Sequence, residues 1–256
     1  MITPGLRAEV GAGASLLESQ PEETSTDALD LYSGVTYTLR TWLDLHLAVS
    51  RATRFPTLSQ LYSGTSGNPD LKPERALKTD IGYRAHITDR LTFDQAYFSS
   101  DVEDLIDRKD KYSLYKNLER VDLSGIETGV GYEDQSWQAH ADYMYLHAYE
   151  HNVGGETTTK DRRSHSPRHK IDYSLYWKTA FGFGIGHTGQ AIIDRVNADR
   201  EEMKDYFLAH VKVTYQVMTE LQLFVNFRNL FDVNYEEEMY YPMPGRLISA
   251  GVEARL

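Results

Sequence analysis

Hydrophobic and polar residues alternate along this chain with a period of two. Leu221, Leu223, Val225 and Phe227 share one face of residues 221–229, while Gln222, Asn226 and Arg228 share the other with Phe224. This is the alternation of a strand lying between unlike media. The last stretch repeats it, with Ile248, Ala250, Val252, Ala254 and Leu256 set against Ser249, Gly251, Glu253 and Arg255. Upstream, Leu43, Leu45, Leu47 and Val49 alternate with Asp44, His46, Ala48 and Ser50, and Leu77, Ile81 and Tyr83 oppose Lys78, Asp80, Arg84 and His86. Strands are therefore predicted over 2–10, 29–39, 41–51, 75–86, 91–100, 118–132, 137–149, 169–177, 181–193, 206–217 and 221–229, with a last one ending at Leu256. That makes about twelve strands of roughly ten residues, the length that crosses a bilayer at barrel tilt.

The connections alternate too. Tight turns are expected around Arg40 and at 88–90, 133–136, 178–180 and 218–220, and long polar loops at 11–28, 52–74, 101–110, 150–166, 194–204 and 232–245. Outer-membrane barrels are built this way, with short periplasmic turns and long extracellular loops; a soluble sandwich has no reason to keep its two ends so unequal. Aromatics gather near the tight turns: Tyr37 with Trp42, Tyr132 with Trp137, Trp177 with Phe181, and Tyr215. Amphipathic rings favour headgroup depth, so an interfacial girdle accounts for them. The expected fold is one all-β domain over 1–256, an antiparallel transmembrane β-barrel in which Val225 and Phe227 face lipid, Asn226 and Arg228 face the lumen, and 232–245 form the final extracellular loop.

Composition supports a strand-built membrane protein. The chain holds 18 Tyr, 9 Phe and 3 Trp at a mean hydropathy of −0.52, as expected when only alternate residues meet lipid. No apolar run is long enough for a membrane-spanning helix. Without Cys there is no disulfide scaffold, thiol chemistry or thiolate metal site. A net charge of −11 argues against a nucleic-acid partner. No basic segment followed by an apolar one opens the chain, so no export signal is visible.

Three motifs carry a family resemblance. Residues 54–62, Arg54-Phe55-Pro56-Thr57-Leu58-Ser59-Gln60-Leu61-Tyr62, are followed by Gly67-Asn68-Pro69-Asp70-Leu71-Lys72-Pro73-Glu74; near the C-terminus come Asn229-Leu230-Phe231-Asp232, Tyr235 and Pro244-Gly245-Arg246. Their order and content resemble TonB-dependent outer-membrane receptors, especially the vitamin B12 and catecholate-siderophore branches. The sequence departs from the family at Thr53, where an aromatic is usual, and at Leu256, where Phe is usual. The resemblance implies the C-terminal part of a plugged barrel of roughly 22 strands, without the plug or signal peptide. It also implies location in the outer membrane and uptake of a ferric siderophore or cobalamin-type substrate. The implied partners are outer-membrane lipid, the barrel-assembly machinery, and a plug with N-terminal strands from elsewhere in the polypeptide or from a separate chain. The TonB complex would act only through the plug. Alternatives are a passive porin-like or structural barrel and a soluble all-β binding module.

The motif residues are expected to be architectural: Pro69 and Pro73 fix φ, Gly67 permits a turn closed to other residues, and Arg246 pairs with a luminal carboxylate. Tyr112, Tyr115, Tyr149, Tyr240 and Tyr241 are the candidate substrate-contacting loop aromatics, with an outer girdle as the plainer reading. Asp101, Glu103, Asp104 and Asp107 lack calcium-loop spacing and read as a solvated acidic loop. His165 and His169 have helical metal spacing, but Pro167 between them opposes a helix. His46, His86, His140 and His210 fall on predicted luminal faces. No nucleophile elbow, phosphate loop or zinc-protease motif is present, so neither an enzyme nor a cofactor is expected.

Overall fold

The computed structural model describes residues 5–19, 24–108, 112–151, 160–164, 166–197 and 199–254; the expected strand residues 2–4 and 255–256, His165 and parts of the expected loops lie outside them. In chain order the elements are β1 (Gly5–Ser19), β2 (Thr24–Arg40), β3 (Leu43–Arg54), α1 (Leu58–Tyr62), β4 (Glu74–His86), β5 (Leu91–Asp107), β6 (Lys116–Glu133), β7 (Trp137–His151), β8 (Lys160–Arg162), β9 (His169–Lys178), β10 (Phe183–Ile193), β11 (Arg195–Val196), β12 (Glu202–Met203), β13 (Tyr206–Met218), β14 (Leu221–Arg228), β15 (Glu236–Glu238), β16 (Tyr241–Pro242) and β17 (Leu247–Ala254). One 13-stranded sheet runs in the order β1-β2-β3-β4-β5-β6-β7-β9-β10-β13-β14-β17, with β8 paired to β7 off this path. The pairs β11–β12 and β15–β16 are small hairpins inside two long connections.

The chain divides into two compact units: Met1–Tyr83, Ala96–Ile126 and Leu146–Arg163 form the first, and Arg84–Gln95, Glu127–Tyr145 and Ser164–Leu256 form the second.

In the first unit, β1, β2 and β3 pair so that Leu6, Tyr37 and Leu45 stand in one row, and Ala8, Val35 and Leu47 in the next. This apolar face is exposed, Leu6 to 70% and Leu47 to 44%. Two expected loops turn out to be strand. The β1–β2 ladder continues through 11–19 and 24–28, and the acidic stretch 101–107 belongs to β5. Polar composition suggested loops at both places, but backbone pairing carries a ladder onward wherever the neighbouring strand also continues. In β5, Val102 and Ile106 are buried in small clusters with Leu118 and Val121, and with Leu61 and Leu71, respectively. Asp101 pairs with Arg120 at 2.7 Å.

In the second unit, one apolar row reads Trp137, Trp177, Ile185, Val213, Val225 and Ala250, and the next Ala139, Leu175, His187, Val211, Phe227 and Ile248. The alternate row is polar: Gln138, Tyr176, Gly186, Lys212, Asn226 and Ser249. The predicted separation of Val225 and Phe227 from Asn226 and Arg228 is therefore realised. Trp137 and Trp177 stack at 5.7 Å between ring centroids, and Phe183 meets Tyr215 at 4.5 Å, so that Trp137, Trp177 and Tyr215 of the expected grouping make ring contacts near the tight turns, with Phe183 as a partner in place of the exposed Phe181. A second grouping lies toward the long connections on the same face, where Tyr173 contacts His187 and Phe207, and Phe207 contacts Phe231. Tyr173 lies across Gly189; a Cβ on Gly189 would collide with the Tyr173 ring.

Tight turns are closed by side chains. In the β6–β7 turn Asp134 accepts hydrogen bonds from the amides of Ser136 and Trp137 and from the Tyr132 hydroxyl, each at 2.8 Å. The Ser136 amide, then the Tyr132 hydroxyl and the Trp137 amide, hold the Asp134 carboxyl below its ordinary pKa of 3.8. A carboxyl depressed in the folded state contributes stability that is complete above its unfolded value and lost as pH falls through the folded one.

Gly189→Val should cost about 1–3 kcal/mol by overpacking, and much of that cost should disappear in a Tyr173→Ala background, as urea unfolding in detergent micelles would show. Asp134→Ala should destabilise the protein clearly at pH 7, and the gap from wild type should narrow as pH drops below about 4, read from the same unfolding midpoints.

Candidate functional site

The signature motifs become two frames supporting long connections, one in each unit. In the first, β3 ends at Arg54, and its guanidinium makes a two-point ion pair with Glu74 at the start of β4, with one bond of 2.6 Å from Nε. Glu74 is 7% exposed and also accepts the Ile106 amide at 2.8 Å. One carboxylate thus joins the ends of both motifs to β5. Between them, Pro56 is buried, and Thr57 caps α1 through a reciprocal arrangement with Gln60. Such boxes satisfy amide donors that a helix start leaves open.

Leu61 and Leu71 bury against Ile106 and Tyr115, whereas Leu58 and Tyr62 are exposed. Asn68 donates to the Tyr115 carbonyl at 2.8 Å and accepts from the Asp70 amide at 3.0 Å. Pro69 is exposed and Pro73 half-buried. Gly67 is required by close approach: a Cβ there would lie 2.5 Å from the Ser63 nitrogen, although its φ is not positive.

The second frame lies in the second unit. Asn229, 3% exposed and at φ +48°, accepts from the Val233 amide at 2.8 Å and donates to the Val233 and Pro244 carbonyls. Its own amide donates to His210 Nδ1 at 3.0 Å. Asp232 accepts the Arg246 amide at 2.7 Å, and its carboxylate oxygen occupies the space where a Gly245 Cβ would sit, 2.7 Å away. The expected pairing of Arg246 with a luminal carboxylate is replaced among the described residues by this main-chain contact with Asp232. Leu230 donates its amide to Ala209, and Phe231 packs on Phe207. Tyr235 packs on Tyr206 at 4.8 Å, and burial, with the charge of Glu237, pushes its phenol above the ordinary pKa.

The sequence reading missed Arg195. It is 5% exposed, donates to the carbonyls of Glu236 and Glu237, and lies 4.9 Å over the Tyr206 ring. It ties the connection after β10 to the one after β14. Asn197, equally unanticipated, accepts the amides of Asp199 and Glu201 at 2.9 Å. No local pattern distinguishes Arg195, because its acceptors are remote carbonyls; Asn197 bonds within its own turn, to those amides and to the Glu201 carboxylate at 3.0 Å.

The candidate loop aromatics occupy different settings. Tyr112, Tyr240 and Tyr241 are exposed, at 74%, 81% and 51%. Tyr115 packs on the first frame under Arg108, and Tyr149 lies in β7 against His147. Asp107 pairs with Arg163, and no group of three potential metal ligands occurs among the described residues. His169 Nδ1 is 2.8 Å from the Tyr143 hydroxyl. His46 and His140 pair with Asp80 and Asp142.

An antiparallel sheet with one apolar and one polar face, tight turns at one end and framed loops at the other defines a transmembrane barrel wall. The family model described as TonB dependent receptor-like, beta-barrel, matches residues 2–230, and the chain belongs to this family. It is 26% identical over 221 residues to the vitamin B12 transporter BtuB of Vibrio vulnificus (strain YJ016), covering 78% of this chain and 33% of that protein. Among solved structures, the FrpB iron transporter of Neisseria meningitidis superposes with a TM-score of 0.74 at 15% identity, covering 99% of this chain and 43% of that one. The ferric-catecholate import receptor Fiu of E. coli K12 gives 0.70 at 21% identity, over 90% and 35%. The chain thus spans about a third of the length of the curated relative. Family members are outer-membrane receptors and transporters; in a barrel wall of that kind an apolar face meets lipid and a polar face the lumen.

Glu74→Ala would orphan the buried Ile106 amide, at about 1–3 kcal/mol, and break the ion pair with the half-exposed Arg54 guanidinium, worth about 1 kcal/mol or less. A total loss of about 2–3 kcal/mol is expected by urea unfolding, with faster proteolysis of residues 55–73; Glu74→Gln, which keeps an acceptor, should cost less.

Proposed function

We propose that the chain forms part of the wall and extracellular mouth of an outer-membrane TonB-dependent receptor that takes up a ferric siderophore or a cobalamin-type substrate. The observation that carries this reading is the location of both signature frames at the long-connection ends of the strands, where they hold loops in fixed geometry. Exposed Tyr112, Tyr240 and Tyr241 are suited to stacking on a bulky planar ligand. The activities of the relatives, vitamin B12 transport and ferric-catecholate import, supply the two substrate classes. β1 and β17 stand at the ends of the strand order, and in a bilayer each free edge needs a further strand, supplied by the rest of the receptor. In this proposal the plug fills the lumen and the TonB complex acts through it, with the barrel-assembly machinery inserting the wall.

Uptake of radiolabelled cobalamin and of a ferric catecholate, compared between cells with and without the receptor carrying this chain, tests the reading. Accumulation of one of them should fall at least tenfold on deletion, and a protonophore should have the same effect. Unchanged uptake of both, with steady conductance of the purified protein in planar bilayers, would instead establish a passive pore.

A further inference from the structure

In the second unit a cavity of about 740 Å³ opens on the polar face below the last long connection, lined in part by Tyr176, His210, Lys212, Asn226, Arg228 and Tyr235. The only charged side chains in its lining are Lys212 and Arg228, both cationic. The chain as a whole carries a net charge of −11, so a lining without a single carboxylate is against its composition. Among the described residues neither cation has a carboxylate partner: Lys212 Nζ lies 5.2 Å from the Phe224 ring centroid, and Arg228 makes no ion pair.

The adjoining part of the same face behaves differently. Asp172 accepts from Lys170 at 2.9 Å and from Gln190 at 2.8 Å, and Asp142 pairs with His140 at 2.8 Å. Charges there are matched within the wall, while those of the cavity are left for something else. Neutral donors surround them. His210 Nδ1 accepts the Asn229 amide, which leaves the proton of the neutral ring on Nε2, and Tyr176 and Tyr235 share the lining. Oxyanions take charge-assisted hydrogen bonds from such a set of cations and neutral donors.

We propose that this cavity is an anion subsite on the luminal wall, binding a carboxylate-bearing group through Lys212 and Arg228. The assignment rests on the reading of the polar face as luminal. The carboxylate belongs either to a small polycarboxylate passing through the lumen or to an Asp or Glu side chain of a polypeptide segment inside it. The recognition chemistry is the same for both.

The receptor carrying this chain, purified from membranes in detergent at low ionic strength, can be titrated calorimetrically with citrate. Citrate should bind, more weakly at high salt. The double variant Lys212→Gln, Arg228→Gln should lose at least tenfold in affinity while keeping its heat-modifiable mobility, and Lys212→Arg should bind like wild type.

A water-soluble carbodiimide identifies the source. It activates a carboxylate, the Lys212 amine displaces the activated oxygen to form an amide, and the reagent leaves as its urea carrying that oxygen. A citrate adduct on Lys212, found by mass spectrometry, assigns a free ligand. A Lys212 cross-link to an Asp or Glu, found in the absence of citrate, assigns a luminal segment, and citrate binding is then expected only once that segment is displaced. Equal citrate affinity in wild type and the double variant overturns the proposal, as does the absence of citrate binding together with the absence of any Lys212 amide. Either result, obtained with a receptor that still supports uptake, would leave the proposed function standing and remove only the subsite.

Discussion

Backbone hydrogen bonding is the constraint on which the rest of this protein depends. In hydrocarbon there is no water to satisfy an open amide or carbonyl, and each such group costs several kcal/mol. Every interior strand of the order has a neighbour on both sides, while β1 and β17 stand at its ends. Even about five open groups along each of two edges would amount to tens of kcal/mol, more than the whole net stability of an ordinary domain. A membrane location therefore requires partners for both edges. The proportion of the relatives that the chain covers, 33% of BtuB and 43% of FrpB, leaves ample polypeptide in proteins of this family to supply them.

The same need reappears where the strands end, and there side chains take over from the ladder. Asn68, Asn197 and Asn229 each bind main-chain groups that lack a strand partner, and Asp134 and Asp232 do so for tight and long connections. Short amide and carboxylate side chains suit the task because they mimic a backbone partner at close range. Glu74 extends the logic to a buried position, where one carboxylate serves both a guanidinium and an amide. The signature motifs are thus best understood as solutions to a satisfaction problem at the sheet boundary. Their spacing in sequence reflects how much chain has to be held there.

How much of this was legible follows from the range of each interaction. Alternation is local, and it placed the strands and assigned Val225 and Asn226 to opposite faces. Tight turns were equally visible, because their residues bond within a few positions. The ends of the long strands were not: residues 11–19 and 101–107 look polar enough for loops, yet pairing with a neighbour extends β1 and β5 through them. The motif residues could be picked out, but the bond between Arg54 and Glu74 could not be derived from residues 20 positions apart. Arg195 was invisible for the same reason, since its acceptors are carbonyls of residues 236 and 237. A carbonyl acceptor leaves no mark on the identity of its residue.

Register is what connects the two faces to the charges. Along the polar face Lys212 stands opposite Gly186 and Asn226, and Arg228 opposite Leu247. A slip of one residue in any of these strands would send its polar set outward and its apolar set inward. For a Lys or Arg facing lipid near the bilayer midplane the penalty is about 2–4 kcal/mol, whereas an exposed ion pair contributes only about 1 kcal/mol or less. Ion pairs such as Arg84 with Asp94 or Lys170 with Asp172 are therefore too weak to set the register, and the cost of charge in lipid is large enough. Once that cost has fixed the register, the luminal face can vary its charges widely, pairing them in one stretch and leaving them open in the next, without endangering the sheet that carries them.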